Sequence, residues 1–434
     1  MLERHAELAE QRHAAIAEGT VHVAHGAEGI RPPLLVPRGT TYAPAVTSAG
    51  NRNRRAVIVD AVRSPLGRRD GALASVHPVD LAAAVVEALL ARSGCDPGAV
   101  GEVFLGCASP VGEQALNVAR HVALAAGLPD AVPALTVDGQ CGAGLRAVQL
   151  AVQAVESGAR DVVVAGGVEH MTRVPFGSAL LLGGDPLGAR LLERYPAPVP
   201  QGVAAERAAT AAGIGRDALD AWALRSCERA VTAREQGGRA AEIVAVGGVT
   251  EDQPGPIATR ESLAAFAPAY EQGGVVTAGN SAPGADGAAA VLVVAAEVAD
   301  SLGLPVRAEV LASATVGGDP YLFGSAAASA TERAIADAGV ALDTVDRFEV
   351  GEQFAVAPLT WLRATGADPE RVNTRGGAIG LGHPLGATGA RMVVTLLHEL
   401  VGGTGGPGSG RPGVGLVALA GADGVAAAVV LGRG

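Results

Sequence analysis

From residue 56 onward, apolar positions follow two patterns that alternate along the chain: short continuous runs, and longer runs spaced by three and four. AVIVD over 56–60 predicts a short buried strand. The three–four spacing over 79–92 predicts a helix, 103–106 a strand, 117–124 a helix and 134–137 a strand. A helix is predicted over 145–156, apolar on most faces and closed by Gly158, and 162–165 reads as the next strand. Alternation of this kind predicts an α/β fold. Further on, 217–233 reads as a helix. A second helix begins near Ala387, where Met392, Val393, Leu396, Leu397 and Leu400 share one face, and Gly402 and Gly403 stop it. The most apolar stretch, 413–431, contains Asp423 and several Gly, so it predicts core strands and not a membrane span. Ahead of residue 56 the pattern is weak. Residues 1–18 suggest a short charged helix with Leu2, Leu8 and Ile16, and 19–55 read as a tail or linker with scattered Gly and Pro.

Two stretches interrupt the patterns with residues suited to chemistry. Residues 138–146, DGQCGAGLR, place Cys141 where a strand gives way to a buried helix. Free N–H groups and the helix dipole at such a start favour a thiolate, and Gly139, Gly142 and Gly144 leave room beside the sulfur. A small buried Cys without chemistry fits the same residues. Residues 373–391 read NTRGGAIGLGHPLGATGAR, six of them Gly. Gly disfavours helix by about 1 kcal/mol relative to Ala and permits positive φ and close backbone approach. His383 is thus held on a Gly-lined loop, fixed by Pro384, just before a buried helix. That arrangement suits a catalytic His as well as a packed one.

Composition narrows the field. The 434 residues suffice for two or three domain-sized units. The formal net charge of -11 and the lack of a basic stripe argue against nucleic acid as a partner. Every basic side chain other than His is Arg; without Lys there is no Schiff-base or P-loop chemistry, and a bound phosphate must meet Arg, His or backbone N–H groups. Arg225, Arg229 and Arg234 on the predicted 217–233 helix and at its end form the candidate phosphate group, although a solvated face reads the same. The four Cys (Cys95, Cys107, Cys141, Cys227) show neither CxxC pairs nor metal spacing, so no metal or disulfide framework is expected. Cys95, Cys107 and Cys227 read as structural. Glu3, Arg4, Glu7 and Glu10 occupy the place of a signal peptide's apolar run, so a cytoplasmic protein without membrane attachment is expected.

VDGQCGAGLRAVQLA, AGGVEHM, TAGNSAPGADGAAAVLV and the His383 stretch, in that order, resemble the successive signatures of the thiolase family from about Ala56 to the C-terminus. The resemblance implies a five-layer α-β-α-β-α arrangement of two similar βαβαβαββ halves with an inserted loop domain. Mapped here, 1–54 is an extension or linker, 55–171 plus 276–301 the first half, 172–275 the insertion and 302–434 the second half. It implies an acyltransferase in which Cys141 is the nucleophile and His383 takes its proton. The substrate is an acyl-CoA or acyl-carrier thioester, no cofactor is needed beyond that coenzyme A thioester, and the assembly is a homodimer or homotetramer.

Several positions depart from the family pattern. Ala420 stands where the family has a second Cys that acts as the α-carbon base, and the following turn at Gly421 is short. Gly351 replaces the Asn that positions an oxyanion water, in a stretch reading Gly351-Glu-Gln-Phe354. Ala282, preceded by Ser281, replaces a pantetheine-binding Ser, and the usual His-Met-Gly is changed near Gln201-Gly202. The main expectation is therefore an acyl-Cys enzyme that passes its acyl group on without the usual base, by decarboxylative carbon–carbon bond formation or by transfer to an amine or alcohol. The alternatives are an ordinary acetyl-CoA acetyltransferase or 3-ketoacyl-CoA thiolase with a substitute base, Asp423 being nearest in sequence, and a non-catalytic acyl- or partner-binding homologue.

Overall fold

Apart from the run at 134–137, whose Leu135 is half exposed, the apolar runs form strands buried on both faces. The computed structural model describes residues 54–181, 186–196, 198–253, 255, 258–402 and 413–434, without the side chain of Asp423. The expected helix and linker of 1–53, the stop at Gly403 and the Asp423 carboxyl thus lie outside the described residues. The strands are β1 (Ala56–Arg63), β2 (Gly67–Arg68), β3 (Glu102–Gly106), β4 (Ala134–Val137), β5 (Val162–His170), β6 (Ala285–Ala295), β7 (Ala308–Gly317), β8 (Arg347–Val350), β9 (Val414–Ala420) and β10 (Val425–Arg433). They join in the order β4-β3-β5-β6-β1-β7-β10-β9-β8, with β2 beside β6. At the centre β1 meets β7 only at Val57–Glu309 and Ile58–Ala308, so the sheet is two half-sheets joined by a short seam.

The helices are α1 (Pro78–Ser93), α2 (Val118–Ala125), α3 (Ala143–Glu156), α4 (Ala189–Arg194), α5 (Gln201–Ala212), α6 (Arg216–Glu235), α7 (Arg260–Ala264), α8 (Ala296–Leu302), α9 (Ala326–Ala338), α10 (Val356–Thr365), α11 (Ala378–Leu381) and α12 (Leu385–Gly402). Alternate residues of each central strand enter different cores, as the period of two requires. In β1, Val57, Val59 and Val62 pack outward with α1 and α2, while Ala56, Ile58 and Ala61 pack inward with α3 and α12. In β10, Ala427, Val429 and Leu431 join the same inner core, and Ala426, Ala428 and Val430 face α9 and α10. Outer helices, half-sheet, central helix pair, half-sheet and outer helices make the five layers of the thiolase-like α/β fold.

The two halves are similar but not equal. In the first, β1, β3, β4, β5 and β6 alternate with helices as βαβαβαββ. In the second, only an isolated Phe348–Val372 bridge stands beyond β8 where a further strand was expected. A side chain replaces the ladder there. Asn373, at φ +47°, accepts from Val350 N at 2.8 Å and donates to Val350 O at 2.9 Å, so the edge is satisfied without a strand.

The central helices approach at backbone distance. A Cβ on Gly144 would lie 2.6 Å from Gly386 O, and one on Gly389 2.5 Å from Leu145 N. The segment between β5 and β6 is tied down by fully buried Arg63, which binds Asp252 at 2.6 and 2.9 Å and Glu242 at 2.7 and 3.0 Å. No helix among the described residues is long and apolar enough to cross a membrane.

Gly389→Ala should lower stability by about 1–3 kcal/mol, because the added methyl must displace backbone. The same change at Gly402, with nothing within 4 Å, should be near neutral. Urea midpoints at unchanged slope report both; a neutral Gly389→Ala would show that the helices can part without strain.

Candidate active site

Cys141 sits on a turn that the sequence bends sharply. After β4, Asp138 accepts from Gln140 N at 3.1 Å and from Gln140 Nε2 at 3.0 Å. These bonds hold Gln140 at φ +50°, a conformation that costs a non-Gly residue about 1–3 kcal/mol. A single 3-10 turn, Gln140–Gly142, then runs into α3 and buries Cys141 among Ala108, Met171 and Leu385. The helix start was expected to favour a thiolate. It does not prevail: burial pushes the thiol up to about 12, and the charge of nearby Glu169 adds to the effect. At rest Cys141 is a neutral thiol.

His383 arrives from the other central helix. Gly382 at φ +108° turns the chain, His383 N donates to Pro283 O at 2.8 Å, and Pro384 leads into α12. The imidazole Nδ1 pairs with Thr388 Oγ1 at 2.7 Å, whereas Nε2 is buried without a partner among the described residues. Burial, with a smaller contribution from Arg391, pushes His383 down to about 3. A neutral imidazole fixed at Nδ1 can accept a proton at Nε2. Its neighbour Leu385 packs in the Cys141 cluster, which brings the two loops together.

Sequence reasoning missed the residue that joins them. Buried Glu169, in the AGGVEHM stretch, accepts from Ala108 N at 2.8 Å, Ser109 N at 3.2 Å, Gln114 Nε2 at 2.9 Å and Gly386 N at 2.9 Å. It ties the loop after β3 to the first turn of α12. Burial raises its carboxyl pKa, and these donors oppose the rise.

A third wall gathers the positions that depart from the family pattern. Ala420 ends β9, and a Cβ on Gly421 would lie 3.5 Å from Gly139 O and 3.8 Å from Gly142 N, beside the Cys141 turn. Gly351 is not an open space, since a Cβ there would lie 2.5 Å from Leu419 Cδ1 and 2.9 Å from Gln353 Oε1. Gln353 Nε2 donates to Ala420 O, and Gln353 O accepts from Ala282 N at 3.0 Å. Ser281 Oγ donates to Thr277 O at 2.7 Å. Cys141, His383, Gly351, Ala420, Gly421, Ser281 and Ala282 therefore converge.

Arg225 and Arg229 do not join them. Arg225 pairs with Glu370 at 3.0 Å and Arg229 with Glu370 at 2.7 Å, and both also donate to backbone carbonyls, of Pro369 and Val372. They fasten α6 to the second half, a role that helical spacing alone did not show. Arg234 does line a cavity of about 460 Å³, with Cys227, Phe266, Ser281 and Leu381 among its walls. A second cavity of about 410 Å³ shares Gln253, Pro283 and Leu381 with it and reaches Met171, which touches the Cys141 cluster. Cys227, read as merely structural, is thus a wall residue. Among the described residues no group of three or more His, Cys, Asp or Glu is placed to hold a metal ion.

With the thiol near 12 and the imidazole near 3, both partners stay neutral at intermediate pH. Alkylation of Cys141 by iodoacetamide, followed by peptide mass, should therefore be slow and show no inflection between about pH 5 and about pH 9. An inflection near neutrality would reveal a thiolate–imidazolium pair instead.

Known proteins place this geometry. The family description "Thiolase, N-terminal domain" matches residues 56–297, and "Thiolase, C-terminal domain" matches 304–433. An acetyl-CoA acetyltransferase of Pseudomonas aeruginosa is 41% identical over 364 residues, covering 80% of this chain and 92% of the relative. A steroid 3-ketoacyl-CoA thiolase of Mycobacterium tuberculosis is 39% identical over 362 residues, covering 80% and 88%. The crystal structure of the Bacillus anthracis acetyl-CoA acetyltransferase superposes with a TM-score of 0.77 at 33% identity, covering 88% of this chain and 99% of that one. On its sequence, its layers and its convergent loops, this chain belongs to the thiolase family of acyltransferases.

Proposed function

We propose that this chain is an ordinary thiolase acting on acyl-CoA thioesters, with Cys141 as the nucleophile and His383 as its base. The observation that carries the reading is the neutral, buried Cys141 thiol beside a loop whose His383 Nε2 is fixed, neutral and unpartnered. As Cys141 attacks a carbonyl carbon, His383 Nε2 takes the thiol proton, so the thiolate forms only with the bond it makes. Relatives named acetyl-CoA acetyltransferase, 3-ketoacyl-CoA thiolase and beta-ketoadipyl-CoA thiolase, all 37–41% identical, support carbon–carbon chemistry. The two adjoining cavities offer room for an acyl chain and a pantetheine arm, with Arg234 for phosphate. The exposed edge strand β4, with Leu135 and nearby Leu116 at 50% and 86% exposure, supports a homodimer or homotetramer. A cytoplasmic setting and no further cofactor complete the reading.

Ala420 bears on the proton step. Condensation must remove a proton from an acyl-CoA α-carbon, and no described side chain replaces the missing Cys base at Ala420. Cleavage of a 3-ketoacyl-CoA runs through the same enolate in reverse, where a proton is given instead of taken, a downhill step that His383, carrying the Cys141 proton, or solvent supplies. Cys141 bonds to the 3-keto carbon, the C2–C3 bond breaks, and the departing acetyl-CoA enolate regains a proton at its α-carbon, balancing the one Cys141 lost. CoA then takes the acyl group from Cys141. The same vacancy favours a second reading, in which acyl-Cys141 passes to a decarboxylating thioester, an amine or an alcohol.

Acetoacetyl-CoA with CoA should give acetyl-CoA readily, while deuterium exchange into acetyl-CoA stays at least about 100-fold slower, as loss of a positioned base dictates. Adducts on Cys141 together with failure to cleave acetoacetyl-CoA would move the assignment to the second reading. His383→Ala should slow adduct formation by about 100- to 10,000-fold; an unchanged rate in the folded variant would remove His383 from the chemistry.

Arg234→Ala should raise the apparent KM for CoA, whereas Arg225→Ala and Arg229→Ala should lower thermal stability with KM unaltered. Equal KM in all three would remove Arg234 from the phosphate site.

A further inference from the structure

The cavity of about 410 Å³ that reaches Met171 has charged walls that the chemistry above leaves unused. Met171 and Leu381 are its buried walls, and Phe176, Arg68 and Arg69 are exposed ones. The described residues that line it include no Asp or Glu. Among the described residues the Arg68 guanidinium has no hydrogen bond or ion pair, and Arg69 has only a distant contact, Nε to Asp70 at 3.9 Å. Arg225 and Arg229, by contrast, are occupied by Glu370. In a chain of formal net charge -11, two neighbouring cations that face one cavity without a hydrogen-bonded carboxylate are an exception. The loop that carries them is nevertheless fixed. Arg68 pairs with Ala285 across β2 and β6, and Gln253 Oε1 accepts from Arg68 N at 3.0 Å and from Ala72 N at 2.8 Å. Asp70, at φ +57°, donates its N–H to Thr172 Oγ1 at 2.9 Å. His383 bridges Gly284, the residue before Ala285. Two strand spacings and one step along the chain put the Arg68 and His383 backbones at most about 14 Å apart.

We propose that this chain acts on 3-ketoacyl-CoA substrates whose acyl chain ends in a carboxylate, and that Arg68 and Arg69 bind that end. The inference rests on the thiolase reading above and names its substrate class. With the reacting carbonyl at Cys141, Met171 and Leu381 cover the methylenes, and the far carboxylate meets the guanidinium pair at the exposed side of the cavity. The planar fork of Arg offers paired N–H donors to the two carboxylate oxygens, and a backbone held in place loses little freedom when they engage. A methyl end in the same place would strip water from the guanidinium groups without replacing its hydrogen bonds, so the same walls disfavour a neutral chain. Both side chains are exposed, so salt screens the attraction and its worth is about tenfold, less than a buried pair would give. The phosphates of CoA are the other anions at hand; in the reading above they lie in the adjoining cavity with Arg234.

The test compares two thioesters of equal length, 3-oxohexanoyl-CoA and the same chain with its terminal methyl oxidised to a carboxylate. The full chain cleaves each with CoA, beside acetoacetyl-CoA as the reference substrate. At an ionic strength of about 0.01 M, kcat/KM should be about tenfold higher for the carboxylate-ended chain, and the gap should shrink at about 1 M, where the Debye length falls from about 30 Å to about 3 Å. The double variant Arg68→Gln/Arg69→Gln should bring the ratio between the two substrates to about one at either salt, chiefly through the carboxylate-ended chain, at unchanged Tm. A variant that loses both substrates equally, or whose apparent KM for CoA rises, would give the pair to a CoA phosphate and overturn the inference. Equal kcat/KM in the parent protein, or a preference for the methyl end, would overturn it as well and leave the thiolase reading intact. Failure to cleave any of the three thioesters would sink that reading and the inference together.

Discussion

Everything in the site depends on two helices touching backbone to backbone. The α3 and α12 axes can come this close only because Gly144 and Gly389 carry no Cβ. One helix begins just after Cys141 and the other just after His383, so their separation sets the distance between the two loops. Close packing transmits strain with little give, which makes this pair a rigid gauge. Glu169 then reads the same gauge from below, binding the first turn of α12 and the loop after β3 with one carboxylate. The surrounding half-sheets bury the helix pair on both sides and keep it dry.

Dryness decides the electrostatics. The helix dipole at Cys141 is a partial charge acting near a helix end, worth about 0.3–1 kcal/mol in exposed settings. Desolvation of a buried thiolate outweighs it, and the carboxylate of Glu169 opposes it further. The same dryness strips the proton from His383. The pair therefore stores no charge at rest and separates charge only along the reaction.

Much of this was legible in the chain. The continuous apolar runs announced strands buried on both faces, and the glycines around Cys141 and His383 marked the loops because close approach demands them. Other features were hidden for physical reasons. Helical spacing showed that Arg225 and Arg229 share a face, but not that the face meets Glu370, which is remote in sequence. Gly351 read as a simple loss, because a vacancy in sequence says nothing about which neighbour fills it in space. The strand missing after β8 was disguised by Asn373, whose side chain imitates a ladder that local propensity cannot foresee. A thiolate at Cys141 was a sound local inference defeated by burial, a property of the whole fold.

The neutral thiol also bears on the protein's durability. Oxidation begins from the thiolate and follows exposure, climbing from sulfenic to irreversible sulfinic and sulfonic acids. Cys141 is 3% exposed and protonated at rest, and Cys107, Cys95 and Cys227 are likewise raised by burial. Peroxide thus finds little to attack on any of the four sulfurs, the proposed nucleophile among them. In the mechanism proposed above, reactivity is confined to the moment when a substrate carbonyl is in place, so burial would shield Cys141 between turnovers.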